Sequence, residues 1–355
     1  MIKVLQIIDG ETFGGIAKLM LDISKKITDI DISFLTQIPI FDKNVKNAYN
    51  LGTIRNTLKD KVIYNYRLYR FLKRNKFDIV HVNSSVFLFS FQVVIICKLV
   101  GVKRVIVHSH GCPPLNRVRV LLLKVLNPFY RKITDIHLSC SKKAASSLFT
   151  KTNDVIVLKN GIDIDTFKYK KEKRNILRKQ LNVENKKVYG HIGRFSKEKN
   201  HIFLVDVFYE IQKHVKDSIL LLIGNGDLEN KIRNKVIKLG ISEKVLFLGF
   251  RNDIDSLLNV MDIFIFPSIY EGLPICLIEA QTSGLPVVVS KSISEEAKIS
   301  ENFYKIKTFN VNDWTEEILR VNIKNRNYAY KNTFKYGFNI EESAKKLEII
   351  YKELI

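Results

Sequence analysis

Two glutamates stand in a segment that is otherwise mostly apolar. The segment PSIYEGLPICLIEAQTSGLPVVVS runs from Pro267 to Ser290, and Glu271 and Glu279 lie eight residues apart within it. Burying a carboxylate without a partner costs several kcal/mol, which raises the question of what the two glutamates bind. The segment predicts a strand ending at Pro267, a loop with Glu271, a helix with Pro274 at its first position and Gly284 at its end, and a further strand. Glu279 lies within the predicted helix.

The stretch between the two glutamates could bind an anion. The backbone N–H groups of Gly272, Leu273, Ile275 and Cys276 lie at a predicted helix start, where they lack partners within the helix. Carboxylates do not bind phosphate, but they accept hydrogen bonds from hydroxyls. Two carboxylates on either side of a phosphate site match a nucleotide sugar, in which a diphosphate joins a ribose to a hexose.

A second loop offers two cations for a phosphate. In GHIGRFSKEKN, from Gly190 to Asn200, a predicted strand ends at Gly193, and Arg194 and Lys199 follow five residues apart. Arginine presents a planar pair of donors to phosphate oxygens, and lysine presents a mobile point charge. Both cations on one loop at the end of a strand predict a diphosphate-binding loop.

Two glycine-rich turns could let the backbone approach a ligand. GETFGG follows the first predicted strand and places Gly14 and Gly15 at a helix start, where free N–H groups attract anions. LLLIGNGDLEN places Gly224 and Gly226 between a strand and a helix, which is similar to half of a dinucleotide-binding fingerprint. Strand-to-helix connections also need glycine for purely structural reasons.

Three further candidates follow predicted strands. HSHG ends one strand, and His110 could donate a hydrogen bond or move a proton near neutral pH, or could be a structural histidine. Phe250 and Arg251 follow another strand, where the aromatic ring could shape a base pocket or belong to the core. We assign Phe250 and Arg251 to the nucleotide site.

The pattern of apolar residues predicts the elements that position these loops. Short β-branched runs alternate with longer amphipathic stretches, giving six strands in the first half and five in the second. Nearly continuous apolar strands joined by helices indicate parallel sheets covered on both faces. We therefore predict two doubly wound α/β domains, divided in the charged stretch NGIDIDTFKYKKEKRNILRKQL. Ligands of such sheets bind beyond the carboxyl ends of the strands.

Length and composition agree with an ordinary globular protein of about two domains. The chain has 355 residues, of which 46% are hydrophobic and 26% charged. We expect neither a signal peptide nor a membrane-spanning helix. The four cysteines are scattered, which indicates reduced thiols in a cytoplasmic protein and argues against disulfides or a zinc site.

The charge is unusual: the formal net charge is +22, and the first 165 residues carry 26 Lys and Arg against 12 Asp and Glu, a net of +14. This excess predicts attraction to phospholipid, nucleic acid or a phosphorylated substrate, unless it reflects a composition rich in Lys, Asn and Ile. Ile63–Lys76 and Asn116–Lys132 mix apolar and basic residues at helical spacing. Such helices lie on membrane surfaces or are ordinary surface helices.

The motifs together resemble a known family. GRFSKEKN, followed about seventy residues later by PSIYEGLPICLIEAQTSGLPVVVS, is similar to the retaining glycosyltransferases of family 4, which have the GT-B fold. Weaker matches in FGGIAKLMLDISKKI, HSHG, SCSKKAASSLF and LKNGIDIDTF extend the resemblance over most of the chain. The neighbourhoods of HSH and of SCSKKA are most similar to the subset that makes bacterial exopolysaccharide and capsule.

The resemblance implies an architecture of two Rossmann-like, doubly wound parallel-sheet domains facing across a cleft. The N-terminal domain, residues 1–165, would bind the acceptor. The C-terminal domain, residues 166–338, would bind the nucleotide-sugar donor. A C-terminal helix, residues 339–355, would pack back on the N-terminal domain.

The resemblance also implies roles for the charged residues that match the family motifs. Arg194 and Lys199 would bind the donor diphosphate and stabilise the leaving nucleoside diphosphate. Glu271 would bind hydroxyls of the donor sugar, and Glu279 would bind the ribose hydroxyls.

Roles near the sugar and the acceptor are implied for the remaining matches. The amides of Gly272 and Leu273 would lie near the sugar and phosphate. Gly14 and Gly15 would line the phosphate or acceptor side of the cleft, and His110 would lie near the reacting sugar.

The implied reaction transfers a hexose, with retention, from a nucleotide sugar that we expect to be UDP-linked. The acceptor would be a sugar hydroxyl of a polyprenyl-diphosphate-linked oligosaccharide, and the enzyme would lie peripherally on the inner face of the cytoplasmic membrane. We expect no metal or other cofactor, because Arg and Lys would stabilise the leaving group. The DID triplets at Asp29, Asp163 and Asp253 are interpreted as capping and turn residues.

Two other functions stay open. A nucleotide-sugar epimerase of the same fold would form product without an acceptor, whereas a phosphorylase would need a pyridoxal phosphate lysine and a far longer chain. A non-enzymatic nucleic-acid-binding protein would explain the charge. The basic residues are spread rather than clustered, however, and no nucleic-acid-binding motif is present, so we predict no nucleic-acid partner.

Overall fold

The computed structural model describes residues 1–9, 14–37, 47–52, 57–113, 116–322 and 326–355. The chain forms two compact units. The first unit contains Met1–Gly161 and Phe338–Ile355, and the second contains Ile162–Gly337. The predicted domains, residues 1–165, 166–338 and 339–355, stay predictions, as do the ligands assigned to them.

The described residues form two parallel β-sheets. The strands are β1 (Ile2–Ile8), β2 (Ile30–Thr36), β3 (Ala48–Asn50), β4 (Ile79–Ser84), β5 (Arg104–Ser109), β6 (Ile136–Ser139), β7 (Ile156–Val157), β8 (Lys187–Ile192), β9 (Ser218–Ile223), β10 (Val245–Gly249), β11 (Ile263–Phe266), β12 (Val287–Ser290) and β13 (Phe303–Ile306).

Helices connect nearly all of these strands. They are α1 (Gly15–Ser24), α2 (Leu58–Arg74), α3 (Phe87–Leu99), α4 (Arg117–Lys132), α5 (Lys142–Ala145), α6 (Ile164–Phe167), α7 (Lys171–Gln180), α8 (His201–His214), α9 (Glu229–Lys238), α10 (Ile254–Val260), α11 (Ile275–Thr282), α12 (Val311–Arg320), α13 (Tyr330–Lys335) and α14 (Ile340–Glu353).

Each unit contains one sheet, and the two sheets share a strand order. The first sheet runs β3-β2-β1-β4-β5-β6-β7, and the second runs β10-β9-β8-β11-β12-β13. The direction of the chain across the sheet therefore reverses between β1 and β4 in one and between β8 and β11 in the other. Doubly wound sheets bind ligands beyond the carboxyl ends of the strands at such a reversal.

The two faces of the first sheet have different chemistry. One face packs on α2, α3 and α4 through an apolar core that includes Leu5, Val80 and Leu68. Because strand side chains alternate between faces, the neighbouring positions point the other way. Gln6 and His81, fully buried, lie on that second face, where α1 and α14 contact each other.

The second sheet is apolar at its centre. Helices α8, α9 and α12 pack together over a core that contains Phe208, Leu220, Ile263 and the fully buried Trp314. The Trp314 indole N–H donates to the carbonyl oxygen of Thr308 at 2.9 Å, so its single polar atom is satisfied.

Three arginines fix the junction between α10 and β11. Arg174, Arg178 and the buried Arg326 donate hydrogen bonds to the carbonyl oxygens of residues 258–261, at the end of α10. These carbonyls have no partners within the helix, and cations are favourable at this end of it. Arg174 also lies 2.6 Å from Asp262, at the start of β11. The strand that leads to Glu271 is thus rigidly placed.

Two strands were missed by the sequence analysis, which predicted six and five strands. The missed strands are β3 and β13, at the edges of their sheets. Each is short, and β3 has only three residues, too few to show an alternating pattern. In the part of the chain that the structure describes, no helix is both long and apolar enough to cross a membrane.

Candidate functional site

Lys199 and Glu271 form an ion pair at the strand-order reversal of the second sheet. Lys199 follows β8 and Glu271 follows β11, and the distance from Lys199 Nζ to Glu271 Oε1 is 2.6 Å. The amide of Ile269 donates to the carbonyl of Glu198 at 2.7 Å, which ties the two loops together. Asn200 donates to the Pro267 carbonyl at 3.3 Å. Residues 72 positions apart in the sequence are thereby brought to one site.

The environment of the pair keeps Lys199 charged. Burial alone would lower the pKa of the lysine, but the charge of Glu271 and its hydrogen bond outweigh burial and raise this pKa. The Lys199 Nζ also lies 4.9 Å from the centroid of the Phe266 ring, a favourable cation–π position. The side chains of Lys199 and Glu271 are 17% and 14% exposed, so both groups remain open to a ligand. The sequence analysis assigned Glu271 to hydroxyls of a ligand and did not predict this ion pair with Lys199.

Gly193 leaves room for the Lys199 side chain. A Cβ atom on Gly193 would lie 3.3 Å from Lys199 Cδ and 3.0 Å from His191 Nε2. These distances are shorter than ordinary contacts, so a larger residue would displace the lysine. The glycine predicted at the end of this strand therefore has a steric function.

Gly224 and Gly226 allow two loops to pack backbone against backbone. Gly224 has φ +132°, and a Cβ there would lie 2.1 Å from the Gly193 carbonyl oxygen. Gly226 has φ +154°, and its Cβ would lie 2.6 Å from the Phe195 carbonyl oxygen. The Phe195 amide donates to the Asn225 carbonyl at 2.7 Å. These glycines support the loop that carries Arg194.

Arg194 is loosely held. Its Nη2 lies 3.7 Å from an Asp227 carboxylate oxygen, and the two side chains are 42% and 93% exposed. An exposed pair at this distance contributes little free energy. The guanidinium can therefore exchange Asp227 for a phosphate at small cost.

The helix α11 begins one residue later than predicted. Pro274 is its N-cap and Ile275 its first residue, whereas the sequence analysis placed Pro274 at the first helical position. Gly272 and Leu273 are buried just before it, and Glu279 is buried within it, 6% exposed. Burial raises the pKa of the Cys276 thiol to about 12, with the nearby Lys199 acting in the opposite direction. Cys276 is therefore a neutral thiol.

Phe250 and Arg251 have different surroundings in the structure. The Phe250 ring is 57% exposed, so it is not part of the core in this structure. The Arg251 guanidinium forms two hydrogen bonds with the Asp253 carboxylate, at 2.7 and 2.6 Å. The assignment of Phe250 and Arg251 to the nucleotide site stays a prediction.

The candidates in the first unit follow β1 and β5. His110 is buried beyond the end of β5, and its Nε2 lies 2.9 Å from Asn83 Oδ1. Burial lowers the pKa of His110 to about 3, so the ring is neutral at physiological pH. Gly14 is the N-cap of α1 and Gly15 its first residue, and both are exposed. Residues 10–13 of the same turn lie outside the described residues.

Several residues around the predicted sites were missed by the sequence analysis. Asn200 has a left-handed backbone, with φ 58°, and joins the Lys199 turn to α8. Asn83 and Gln6 lie on buried strands beside His110, and only their polarity within apolar runs signalled a role. No group of three or more His, Cys, Asp or Glu side chains in the described ranges is arranged to hold a metal ion.

Comparison with known sequences identifies the chain. Residues 172–335 match the family described as "Glycosyl transferases group 1", and residues 42–166 match "Glycosyltransferase Family 4". The chain is 28% identical over 307 residues to the Escherichia coli UDP-Gal:alpha-D-GlcNAc-diphosphoundecaprenol alpha-1,3-galactosyltransferase, covering 81% of this chain and 78% of that protein. It is 25% identical to the Staphylococcus aureus capsular polysaccharide biosynthesis glycosyltransferase CapH, covering 82% and 81%.

Comparison with solved structures shows which fold the chain has. The crystal structure of Anabaena HepE in complex with UDP and glucose superposes with a TM-score of 0.82, at 17% identity, over 99% of this chain and all of that one. Together with the strand order of the two sheets, this likeness shows the GT-B fold. The chain belongs to glycosyltransferase family 4. The fold class and family predicted from the sequence are confirmed; the site residues stay predictions.

Proposed function

We propose that this enzyme transfers a hexose, with retention of configuration, from a UDP-linked sugar to a sugar hydroxyl of a lipid-linked polysaccharide precursor. The observation that carries the donor site is the ion pair between Lys199 and Glu271 at the strand-order reversal of the second sheet. It places a cation for a diphosphate directly beside a carboxylate for hydroxyls. Arg194, on the same loop as Lys199, adds a second and loosely held cation.

The roles follow from charge and geometry. Lys199 and Arg194 bind the diphosphate and stabilise the charge that develops on the leaving nucleoside diphosphate. Glu271 accepts hydrogen bonds from hydroxyls of the donor sugar, and Glu279 accepts those of the ribose. The acceptor hydroxyl attacks the anomeric carbon from the side of the departing phosphate. The bond from that carbon to the phosphate oxygen breaks, and the phosphate oxygen takes the hydroxyl proton, so no strong protein base is needed.

We also propose that the reaction needs no metal ion or other cofactor. Both cations that the leaving group requires come from one loop, after β8. The raised pKa of Lys199 keeps this charge present at every physiological pH. The expected behaviour is full activity in the presence of a chelator.

The names of the relatives support the nature of the acceptor. The Escherichia coli relative is named for an acceptor that carries a diphosphoundecaprenol group, and CapH is named for capsular polysaccharide biosynthesis. We propose the same acceptor class here, a polyprenyl-diphosphate-linked oligosaccharide, within exopolysaccharide or capsule synthesis.

A surface of the first unit fits a peripheral position on the inner face of the cytoplasmic membrane. On α4, four apolar side chains at helical spacing are more than half exposed: Val118, Leu121, Val125 and Phe129. Exposed basic residues, including Arg117 and Lys124, lie among them. An apolar stripe flanked by cations suits an anionic lipid surface. We name the exposed residues of α4 the α4 stripe.

A donor panel tests the proposed reaction. The purified chain is incubated with UDP-, GDP- and ADP-linked hexoses, with and without a polyprenyl-diphosphate-linked sugar acceptor, and released nucleotide and products are measured. We expect acceptor-dependent release of UDP and a product with the anomeric configuration of the donor. Isomerised nucleotide sugar without acceptor would identify an epimerase. An inverted product would contradict retention.

A further inference from the structure

A chain of hydrogen bonds joins His110 to the last helix of the protein. His110 Nε2 lies 2.9 Å from Asn83 Oδ1, and Asn83 Nδ2 donates to Gln6 Oε1 at 2.7 Å. Gln6 Nε2 donates to the Tyr351 hydroxyl at 2.5 Å, and this hydroxyl lies 2.7 Å from His81 Nδ1. All five side chains are buried. This series of hydrogen bonds lies on the face of the first sheet where α14 contacts α1.

One contact fixes the direction of the hydrogen bonds in this chain. If both amides were turned over, every bond could in principle be reversed, because a hydroxyl and a neutral imidazole each donate and accept. The Asn83 amide nitrogen, however, also lies 3.3 Å from the carbonyl oxygen of His81. Turning the amide would set two acceptor oxygens against each other. Asn83 Nδ2 is therefore the donor, and Asn83 Oδ1 can only accept from His110.

The direction determines which ring nitrogen of His110 carries the proton. Because Asn83 Oδ1 accepts, His110 Nε2 must be protonated. Burial holds the pKa of His110 at about 3, so the neutral ring has no second proton and Nδ1 keeps a lone pair. Nδ1 is buried and has no hydrogen-bond partner among the described residues. A ligand hydroxyl can satisfy this lone pair, whereas a phosphate oxygen cannot.

We propose that Asn83, held by Gln6 and by Tyr351 of the final helix, is a positioning residue that fixes His110 as the Nε2–H tautomer, with Nδ1 as an acceptor for a sugar hydroxyl. The Tyr351 hydroxyl links Gln6 to His81 within this hydrogen-bond chain, since it accepts from Gln6 and donates to His81. Gln6 and Tyr351, which are 345 positions apart in the sequence, thereby both help to orient the His110 imidazole. The value of this tautomer to catalysis rests on the proposed function, but the tautomer itself does not.

The protein offers a matched control for removing the Tyr351 hydroxyl. Tyr130 is likewise fully buried in the first unit, and its hydroxyl makes one hydrogen bond, 2.6 Å from Ser90 Oγ. It belongs to the apolar core on the opposite face of the same sheet. Tyr351→Phe and Tyr130→Phe therefore remove the same atom at comparable burial, and only the first interrupts the chain.

The tautomer is measured by long-range proton–nitrogen correlation NMR on the full chain with ¹⁵N-labelled histidine, and His110→Gln identifies the signals. We expect a protonated Nε2 and an unprotonated Nδ1 for His110 near neutral pH. Tyr351→Phe leaves the Gln6 amide nitrogen without its acceptor, so Gln6 can turn away and the Asn83 amide is then oriented only by its long, 3.3 Å contact with the His81 carbonyl. We therefore expect a mixture of tautomers in this variant, whereas Tyr130→Phe should leave the signals unchanged. A protonated Nδ1 in the unmodified protein, or identical spectra for it and Tyr351→Phe, would overturn the proposal.

Leucine at Asn83 provides a second test, because it removes the acceptor for His110 Nε2–H at similar size. We expect Asn83→Leu to lose the fixed Nε2–H tautomer, with circular dichroism confirming that the variant folds. An unchanged His110 tautomer in the folded Asn83→Leu variant contradicts the assigned role.

Transfer kinetics connect the tautomer to the reaction. We expect Tyr351→Phe to lower kcat about tenfold, as loss of a supporting partner of a functional side chain does, with KM for the nucleotide sugar unchanged. Tyr130→Phe should change neither. A changed tautomer with normal kcat overturns the positioning role. An unmodified protein that transfers no sugar from any donor counts against the proposed function, and the NMR result then decides the tautomer alone.

Discussion

The two sheets have the same strand order at their reversals but opposite chemistry there. In the second unit, the loops after β8 and β11 carry formal charges, Lys199 and Glu271, whose side chains remain partly exposed. In the first unit, the polar side chains His81 and Asn83 of β4 and His110 beyond β5 are neutral and buried, and burial lowers the pKa values of His81 and His110 to about 3. One fold thus presents a charged site and a neutral one.

This difference follows from the ligands that each site is proposed to bind. A diphosphate needs permanent cations, and Lys199 keeps its charge because Glu271 outweighs the burial that would lower the pKa of the lysine. A sugar hydroxyl needs directional neutral partners, which can be buried if they are hydrogen-bonded. The comparison predicts that the second site fails when charge is removed. The first should fail when hydrogen-bond direction is lost.

The charged site is tested most severely by Lys199→Ala. We expect kcat/KM to fall by about 10²- to 10³-fold, because a stabilising group of the leaving diphosphate is lost. Lys197→Ala, an exposed lysine of the same turn, is the control and should retain full activity. Rates of nucleotide release measure both.

A double substitution separates the catalytic effect of Lys199 from its structural one. Lys199→Ala leaves Glu271 without its cation in a partly buried site, which we expect to cost about 1 to 3 kcal/mol of unfolding free energy. Adding Glu271→Gln should restore most of that stability without restoring transfer. Recovery of activity in the double variant would mean that the pair has only a structural role.

The second site also depends on backbone packing, which Gly224→Ala would break. The new Cβ would lie 2.1 Å from the Gly193 carbonyl oxygen, at a φ of +132°. We expect a loss of about 2 to 4 kcal/mol in unfolding free energy and a large loss of nucleotide affinity. Gly240→Ala is the control: φ is +68°, and among the described residues no atom beyond the neighbouring residues lies within 4 Å of the added Cβ, so only about 1 kcal/mol should be lost. Equal losses in thermal unfolding would contradict the steric argument.

The neutral site predicts sensitivity to acid. Burial holds the pKa of His108 well below its ordinary value of 6.5, so below pH 6.5 the unfolded chain binds a proton that the folded chain does not. Stability should therefore be constant above pH 6.5 and fall below it, by about 1.4 kcal/mol per pH unit for each such histidine. His108→Phe should reduce the dependence of the unfolding free energy on pH below 6.5 by up to about 1.4 kcal/mol per pH unit, as measured by urea titrations at several pH values.

The second candidate site is easier to recognise in the sequence than the first, and the reason is locality. Arg194 and Lys199 lie on one loop, and Glu271 and Glu279 lie on one strand–loop–helix segment, so the motifs that carry their proposed roles are short. The ion pair between Lys199 and Glu271 was not predicted, because it joins two loops that lie 72 positions apart in the sequence.

The hydrogen-bond chain of the first unit could not be predicted in this way. Gln6, Asn83 and Tyr351 come from two strands and the final helix, and each looks ordinary in its own segment. Their contacts depend on where α14 packs, which is set by tertiary structure. The arginine cluster at the end of α10 was missed for the same reason, since Arg326 is far in sequence from the carbonyls that it caps.

The smallest expected effect concerns the surface rather than either site. Val125→Glu places a carboxylate in the α4 stripe, at a side chain that is 65% exposed. We expect binding to vesicles that contain anionic phosphatidylglycerol to weaken about fivefold, since roughly 1 kcal/mol of apolar contact and charge attraction is lost. Ile237→Glu, on α9 of the second unit and 66% exposed, is the matched control and should bind like the unmodified protein. Equal weakening in both variants would mean that net charge alone attracts the protein to lipid, and the α4 stripe would then have no special role.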